Sequence, residues 1–248
     1  WSKLGDSIYF HNDEAIYVNL FIASTVDWRD RQVRIEQKTK FPEQSNTSFV
    51  VHAPAPATFS LHVRVPRWIA GPPVVRINGQ PVDVNVAPSS FLRIQREWRD
   101  GDEVAIELPI RLHVEPLPDD PNRVAFMYGP VVLSGLIDEN EPDKPLHSSF
   151  QHPPQPWAYT TPQPYFLADS PRDLSWLHAV SGKALTFRSS GQPIDTTFVP
   201  FYQVIGRRYG LYFPVVPAGS DRAQQLERLN RAIGRLANTP TTDESALE

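Results

Sequence analysis

Residues 91–114, FLRIQREWRDGDEVAIELPIRLHV, commit the chain to a β fold. Leu92, Ile94 and Trp98 share one parity before Asp100-Gly101, and Val104, Ile106, Leu108, Ile110, Leu112 and Val114 share one parity after it. Side chains alternate across a strand, so each run is a strand with one apolar face, and Asp-Gly between them signals a hairpin turn. The other face carries Arg93, Gln95, Glu97, Glu107, Arg111 and His113, the pattern of a sheet packed on one side and wetted on the other. A lone hairpin is marginal in water, so it needs a second sheet, and the neighbouring segments read as the strands that supply it.

Those segments follow in order. Residues 7–11 and 16–22 are expected strands joined by Asn12-Asp13-Glu14. The second has Ile16, Val18, Leu20 and Ile22 on one side but Tyr17 and Phe21 on the other, which implies cover on both faces and points to a neighbouring domain as the outer cover. Val33 and Ile35, then Phe49 to His52, then Phe59, Leu61, Val63 and Val65 mark further strands, and Asn78-Gly79 between Val75, Ile77 and Val82, Val84 marks a type I′ hairpin. The stretch PLPDDP, residues 116–121, is too proline-rich to pair and reads as a linker or crossover. Residues 124–136 are apolar on both parities around Gly129-Pro130, which gives two buried strands and a sharp bend. Residues 138–164 form a long Pro-rich loop without a period, and strands return at residues 185–188, 197–202 and 209–216. Only after Ser220 does the period change: Ala223, Leu226, Leu229, Ile233 and Leu236 lie on one helical stripe with Ser220 as N-cap.

The expected fold is therefore all-β, with two β-sandwich-like units of jelly-roll type and a short C-terminal α-helix. The divisions fall at 1–118 for the first sandwich, 119–219 for the second with its loop 138–164, and 220–248 for helix and tail. Twenty-six prolines fit this, because proline breaks helix interiors but is tolerated at strand ends and turns.

Composition narrows function mainly by exclusion. A formal charge of −4 offers neither the basic footprint that nucleic acid needs nor a polybasic membrane anchor. With no cysteine there is no disulfide, thiol nucleophile or cysteine metal site, and the compartment stays open. The first residue is Trp rather than Met, which reads as a chain cut from something longer or processed.

Candidate chemistry is sparse. A glycosidase needs two carboxylates, and acidic pairs occur at Asp27 and Asp30, Asp100 and Asp102, Asp119 and Asp120, and Glu139 and Glu141. Each sits in an expected turn, where Asp bonds its own backbone, so they read as turn residues and no catalytic residue is assigned. His147 and His152 come nearest to metal-ligand spacing but lack a third ligand, and no metal site is assigned. Ser148 and Ser149 lie beside them without a nucleophile-elbow pattern. The better lead is aromatic. Trp157, Tyr159, Tyr165 and Phe166 could stack on a sugar ring or fold back to cap a sandwich edge; Trp157 and Tyr159 are the substrate-binding candidates. Trp28, Trp68 and Trp98, at strand ends, read as core or corner residues.

The segments SKLGDSIYFH, IYVNLF, EWRDGDEVAIELP, PLPDDPNRVAFMYGPVVLSG and PFYQVIGRRYGLYF occur in this order. Together they resemble the C-terminal, non-barrel portion of glycoside hydrolase family 127, the β-L-arabinofuranosidase family. The resemblance implies a parent with an (α/α)6 catalytic barrel that holds a zinc-bound cysteine nucleophile and its glutamate partner. It implies no cofactor in this chain, since zinc belongs with the barrel's cysteines and none is present here. The expected role is an accessory region that supports the barrel of an enzyme removing terminal β-L-arabinofuranosides. The alternatives are a free-standing carbohydrate-binding module and a structural or oligomerisation module. The expected partners are the barrel, then carbohydrate or a second copy of the chain, with no nucleic acid and no membrane.

Overall fold

A computed structural model describes residues 5–137 and 162–237. The chain divides into two compact units, Trp1–Arg111 and Leu112–Glu248. It is mostly β, and its one α-helix among the described residues is C-terminal.

The first unit contains β1 (Tyr9–His11), β2 (Ala15–Val18), β3 (Ser24–Trp28), β4 (Val33–Thr39), β5 (Asn46–His52), β6 (Ala57–Val65), β7 (Val74–Ile77), β8 (Gln80–Val82), β9 (Ser90–Trp98) and β10 (Glu103–Glu107). They form a four-stranded sheet, β1-β2-β6-β9, and a six-stranded sheet, β3-β4-β5-β10-β7-β8. Pairing in the unit is antiparallel except for β2 with β6, which is parallel. Inward-facing Ile16, Leu61, Val63, Leu92 and Ile94 of the smaller sheet meet Ile35, Phe49, Val51, Val104 and Ile106 of the larger one in a single core. At Asn78-Gly79 both residues have positive φ (50° and 78°), as a type I′ turn requires.

The expected hairpin at Asp100-Gly101 is an arch. β9 pairs with β6 over nine residue pairs, whereas β10 lies between β5 and β7 in the other sheet. The alternation in residues 91–108 is preserved because the two apolar faces look at each other across the core; parity is the same for a hairpin and an arch. Trp98, fully buried, sets the corner: its indole N–H donates to the Phe59 carbonyl at 3.0 Å and its ring stacks on Phe59 at 5.5 Å. The turn then bonds to β5, with Gly101 N–H donating to Val51 O and Val51 N–H to Asp102 O, both at 2.9 Å. The strand does not run on to Val114 as expected. It stops at Glu107 ahead of Pro109, which has no N–H to continue a ladder.

Asp102 locks this corner. Its carboxylate accepts from Asn78 Nδ2 at 2.7 Å and from the Arg99 backbone N–H at 2.9 Å, with Arg96 Nη2 at 3.5 Å. Burial works against the charge, but these amide donors and the Arg96 and Arg99 charges outweigh it and hold the carboxyl below its ordinary value.

In the second unit lie β11 (Leu112–Pro116), β12 (Arg123–Tyr128), β13 (Val131–Leu136), β14 (Phe166–Leu167), β15 (Leu177–Ala179), β16 (Phe187–Ser189), β17 (Thr197–Pro200), β18 (Tyr209–Gly210), β19 (Tyr212–Val216) and α1 (Asp221–Ala237). The sheet runs β14-β19-β12-β13-β17-β16-β15, with β11 added to β12 and β18 to β13. Gly129, at φ 54°, makes the expected bend between β12 and β13. The sheet encloses an aromatic core of Phe126, Phe166, Trp176, Phe198 and Phe213, in which Phe166 stacks on Trp176 at 4.6 Å. Ser220 caps α1 through Oγ, which accepts from Ala223 N–H at 3.2 Å, and Ala223 and Leu226 pack on Tyr165 and Val216.

Gly135 and Gly210 are register partners, and both serve as the seat of the Phe213 ring. A Cβ on Gly135 would lie 2.5 Å from Phe213 Cζ. Gly135→Ala is therefore expected to destabilise by about 1–3 kcal/mol through overpacking. Gly71→Ala, where a Cβ meets nothing within 4 Å, is expected to stay within about 0.5 kcal/mol of the parent, and urea unfolding of both variants checks the pair.

Asp102→Asn turns a donor toward the donors that now meet a carboxylate, and is expected to cost about 1–3 kcal/mol at pH 7. A carboxyl with a depressed folded pKa contributes stability above its unfolded value of about 3.9 and loses it as pH falls through the folded value. The gap between parent and variant should therefore narrow from pH 7 to pH 3 in urea unfolding, and an unchanged gap would remove the charge from the explanation.

Candidate functional site

A concavity lies on the solvent face of β3, β4 and β5, a groove of about 780 Å³. Outward residues of a strand alternate with core residues, and the register places Asp27 opposite Arg34 and Arg34 opposite His52, so the three form one row across the sheet. Arg34 Nε donates to Asp27 Oδ1 at 2.6 Å, and this bond is the main reason the Asp27 carboxyl sits below its ordinary value. The imidazole of His52 lies between two carboxylates, with Nε2 3.6 Å from Glu36 Oε2 and Nδ1 3.7 Å from Asp100 Oδ1. One wall is the 3-10 turn at Arg29–Arg31 closed by Gln32 in the left-handed region (φ 53°). The other is Ala53-Pro54 with Asp100, whose Oδ1 accepts from Ala53 N–H at 3.2 Å. Trp28 and Val33, each 3% exposed, form the floor.

A second feature is the outer face of the four-stranded sheet. Phe10, Tyr17, His62 and Arg93 are successive cross-strand partners and so form one row on that face. The Tyr17 ring lies 4.4 Å from His62 and meets Phe91 edge-on at 5.6 Å. Phe10 and Phe91 are 51% and 40% exposed. Partial burial, and then the charge of Arg93, hold His62 below its ordinary pKa, which favours the neutral ring that packs on Tyr17. Phe21, expected on this face, is instead buried against Phe41 at 5.5 Å, because β2 ends at Val18 and the chain turns inward.

In the second unit, Phe201, Tyr202, Ile205, Tyr209 and Tyr212 are exposed, with Phe201 and Tyr209 rings 5.6 Å apart. They fall within PFYQVIGRRYGLYF, which spans the 3-10 turn at Phe201–Gln203, β18 and the start of β19. Asn230 of α1 clasps the chain at Gln163, accepting its N–H at 3.0 Å and donating to its carbonyl at 2.8 Å.

The substrate-binding candidates Trp157 and Tyr159 lie outside the described residues, as do His147, Ser148, Ser149, His152, Glu139 and Glu141. Tyr165 and Phe166 are 5% and 0% exposed, so these two fold back into the second unit and offer no platform. Trp28 and Trp98 are core residues, and Trp68 stacks on Phe41 at 5.6 Å. Asp100 and Asp102 belong to a turn as expected, but Asp27 lies on a strand and faces the groove. Among the described residues no three His, Asp or Glu side chains converge as metal ligands, so the donor set here does not fit zinc.

Comparison with known proteins matches two adjacent stretches of the chain. Residues 15–110 match the profile described as the GH127 middle domain of β-L-arabinofuranosidase, and residues 113–215 match a domain of unknown function. A curated relative, the non-reducing end β-L-arabinofuranosidase of Bifidobacterium longum subsp. longum, is 28% identical over 145 residues, which cover 55% of this chain and 22% of that protein. Among solved structures, a GH127 β-L-arabinofuranosidase from Geobacillus stearothermophilus T6 superposes with a TM-score of 0.63 at 21% identity, covering 86% of this chain and 36% of that one. A protein described as a glycoside hydrolase superposes at 0.60 with 20% identity, covering 84% and 37%. The chain thus spans about a fifth of the curated relative and somewhat over a third of each solved neighbour.

Proposed function

We propose that the chain is a non-barrel β-sandwich portion of a glycoside hydrolase of family 127, and that it serves as a non-catalytic accessory region supporting a helical catalytic barrel. The observation that carries this reading is the outer face of the four-stranded sheet. β2 buries Ile16 and Val18 completely on its inner side, yet on the outer side it presents Tyr17 among His62, Phe91 and Phe10. An antiparallel-type sandwich that met only water there would carry polar side chains at those positions. Aromatic residues flanked by arginine are the composition of an interface core, and Arg93 and Arg64 supply the cations at its border.

For the whole protein the proposed reaction is removal of terminal β-L-arabinofuranose from plant-type glycans. This chain has no cysteine, so it does not supply a thiolate nucleophile to that reaction, and its proposed contribution is support of the barrel. It holds the protein's shape while the bond is broken elsewhere.

The test compares Tyr17→Ser/Phe91→Ser with the parent in two settings. In the isolated chain the unfolding free energy should stay within about 1 kcal/mol, as for surface substitutions. In the full-length gene product the same pair should shorten the half-life of arabinofuranosidase activity on heating, because an interface contact is lost. Equal half-lives for parent and variant would sink the reading.

A further inference from the structure

We propose that the groove across β3, β4 and β5 is a binding site for a neutral polyhydroxylated ligand, a sugar residue. This goes beyond the supporting role, which uses the opposite sheet. The lining rejects the other ligand classes. Asp27, Glu36 and Asp100 face the groove, so an anion meets carboxylates. Arg29 and Arg34 face it too, and the carboxylates do not converge as a metal site, so a compact cation is not held. The aromatic floor, Trp28, is only 3% exposed, so an apolar ligand gains little contact.

What remains is a ligand that donates and accepts at every point without carrying charge, and the hydroxyl group is that ligand. The lining has bonding capacity of both kinds in hand. Arg34 uses Nε on Asp27, which leaves both of its Nη groups as donors. Glu36 engages Lys38 and His52 through Oε2, leaving Oε1 to accept, and Asp100 engages through Oδ1, leaving Oδ2. Gln32, held on the wall by its left-handed backbone, offers a donor and an acceptor together. Adjacent hydroxyls on a sugar ring can therefore bridge from an arginine donor to a carboxylate acceptor, and bonds to charged groups are the stronger kind. The groove's volume falls within the range of small-molecule sites. Its openness to solvent suits a ring at the end or along the length of a chain.

The experiment is a titration of the 15N-labelled chain with L-arabinose, with inorganic phosphate and tetramethylammonium as charged probes of similar size. The proposal expects saturable amide shifts at residues 27–36 and 52–54 with the sugar and none there with either ion. Arg34→Met and the isosteric Glu36→Gln should each weaken binding by about tenfold, the value of one hydrogen bond to a charged group. Unmoved signals away from the groove show that each variant is folded. Trp157→Ala/Tyr159→Ala should leave the groove shifts intact. The proposal is overturned by the absence of saturable groove shifts with the sugar, by equal affinity in folded Arg34→Met and Glu36→Gln, by phosphate competing for the same shifts, or by loss of the shifts in the Trp157/Tyr159 variant.

Discussion

Trp98 and the turn that follows it hold the first unit together. A side chain of that size, fully buried and hydrogen-bonded through its indole to Phe59 O, fixes the end of β9 against β6. The next residues must then leave the sheet, and Gly101 and Asp102 tie them to Val51 at the neighbouring sheet's edge of the turn. Everything the first unit presents to solvent follows from that crossing. With β10 placed between β5 and β7, the six-stranded sheet turns Arg34, Glu36 and His52 outward, and the four-stranded sheet is left to turn Tyr17, His62 and Phe91 outward on the other side.

The two faces divide the chemistry between them. One is a charged, donor-rich concavity in which acids and bases neutralise one another, and the other is an aromatic row bordered by arginine. A single alternating pattern builds both, since in each strand the residues between core positions are free to differ. The second unit spends its aromatics differently. Phe126, Phe166, Trp176, Phe198 and Phe213 sit inside, and the glycine pair Gly135 and Gly210 makes room for the Phe213 ring where a methyl group would collide.

The residues told a good deal about which way each side chain faces and little about which strands are neighbours. Alternation placed Leu92, Ile94, Val104 and Ile106 in the core, and Ser220 with the stripe Ala223 and Leu226 located the helix. Parity cannot distinguish a chain that returns to its own sheet from one that crosses to the next, so an arch carries the same pattern as a hairpin. β3 carries no alternation that marks it as a strand. Its polar sequence Ser-Thr-Val-Asp-Trp has one core side chain at its end, because it is an edge strand whose outward residues line the groove. For the same reason Asp27 looked like a turn residue. The groove is made of residues far apart in the chain, from Thr25 to Asp100, that come together only by pairing. The resemblance to family 127 carried the rest of the functional reading, because nothing in periodicity names an enzyme.

The parallel pairing of β2 with β6 sets an order of events in synthesis. β1 and β2 leave the ribosome ahead of β6 and can close as a small hairpin on the Asn12 turn, whose Oδ1 accepts from Glu14 and Ala15 N–H. Their seat, however, is residues 60–63 of β6, and β6 in turn needs residues 90–98 to complete its other edge. The hairpin must therefore be held back, solvated and unpaired on one edge, until most of the first unit has been made. A nascent chain arrested before β6 would expose Ile16 and Val18, and quality-control machinery that reads exposed strand edges would meet this protein at the β1–β2 hairpin.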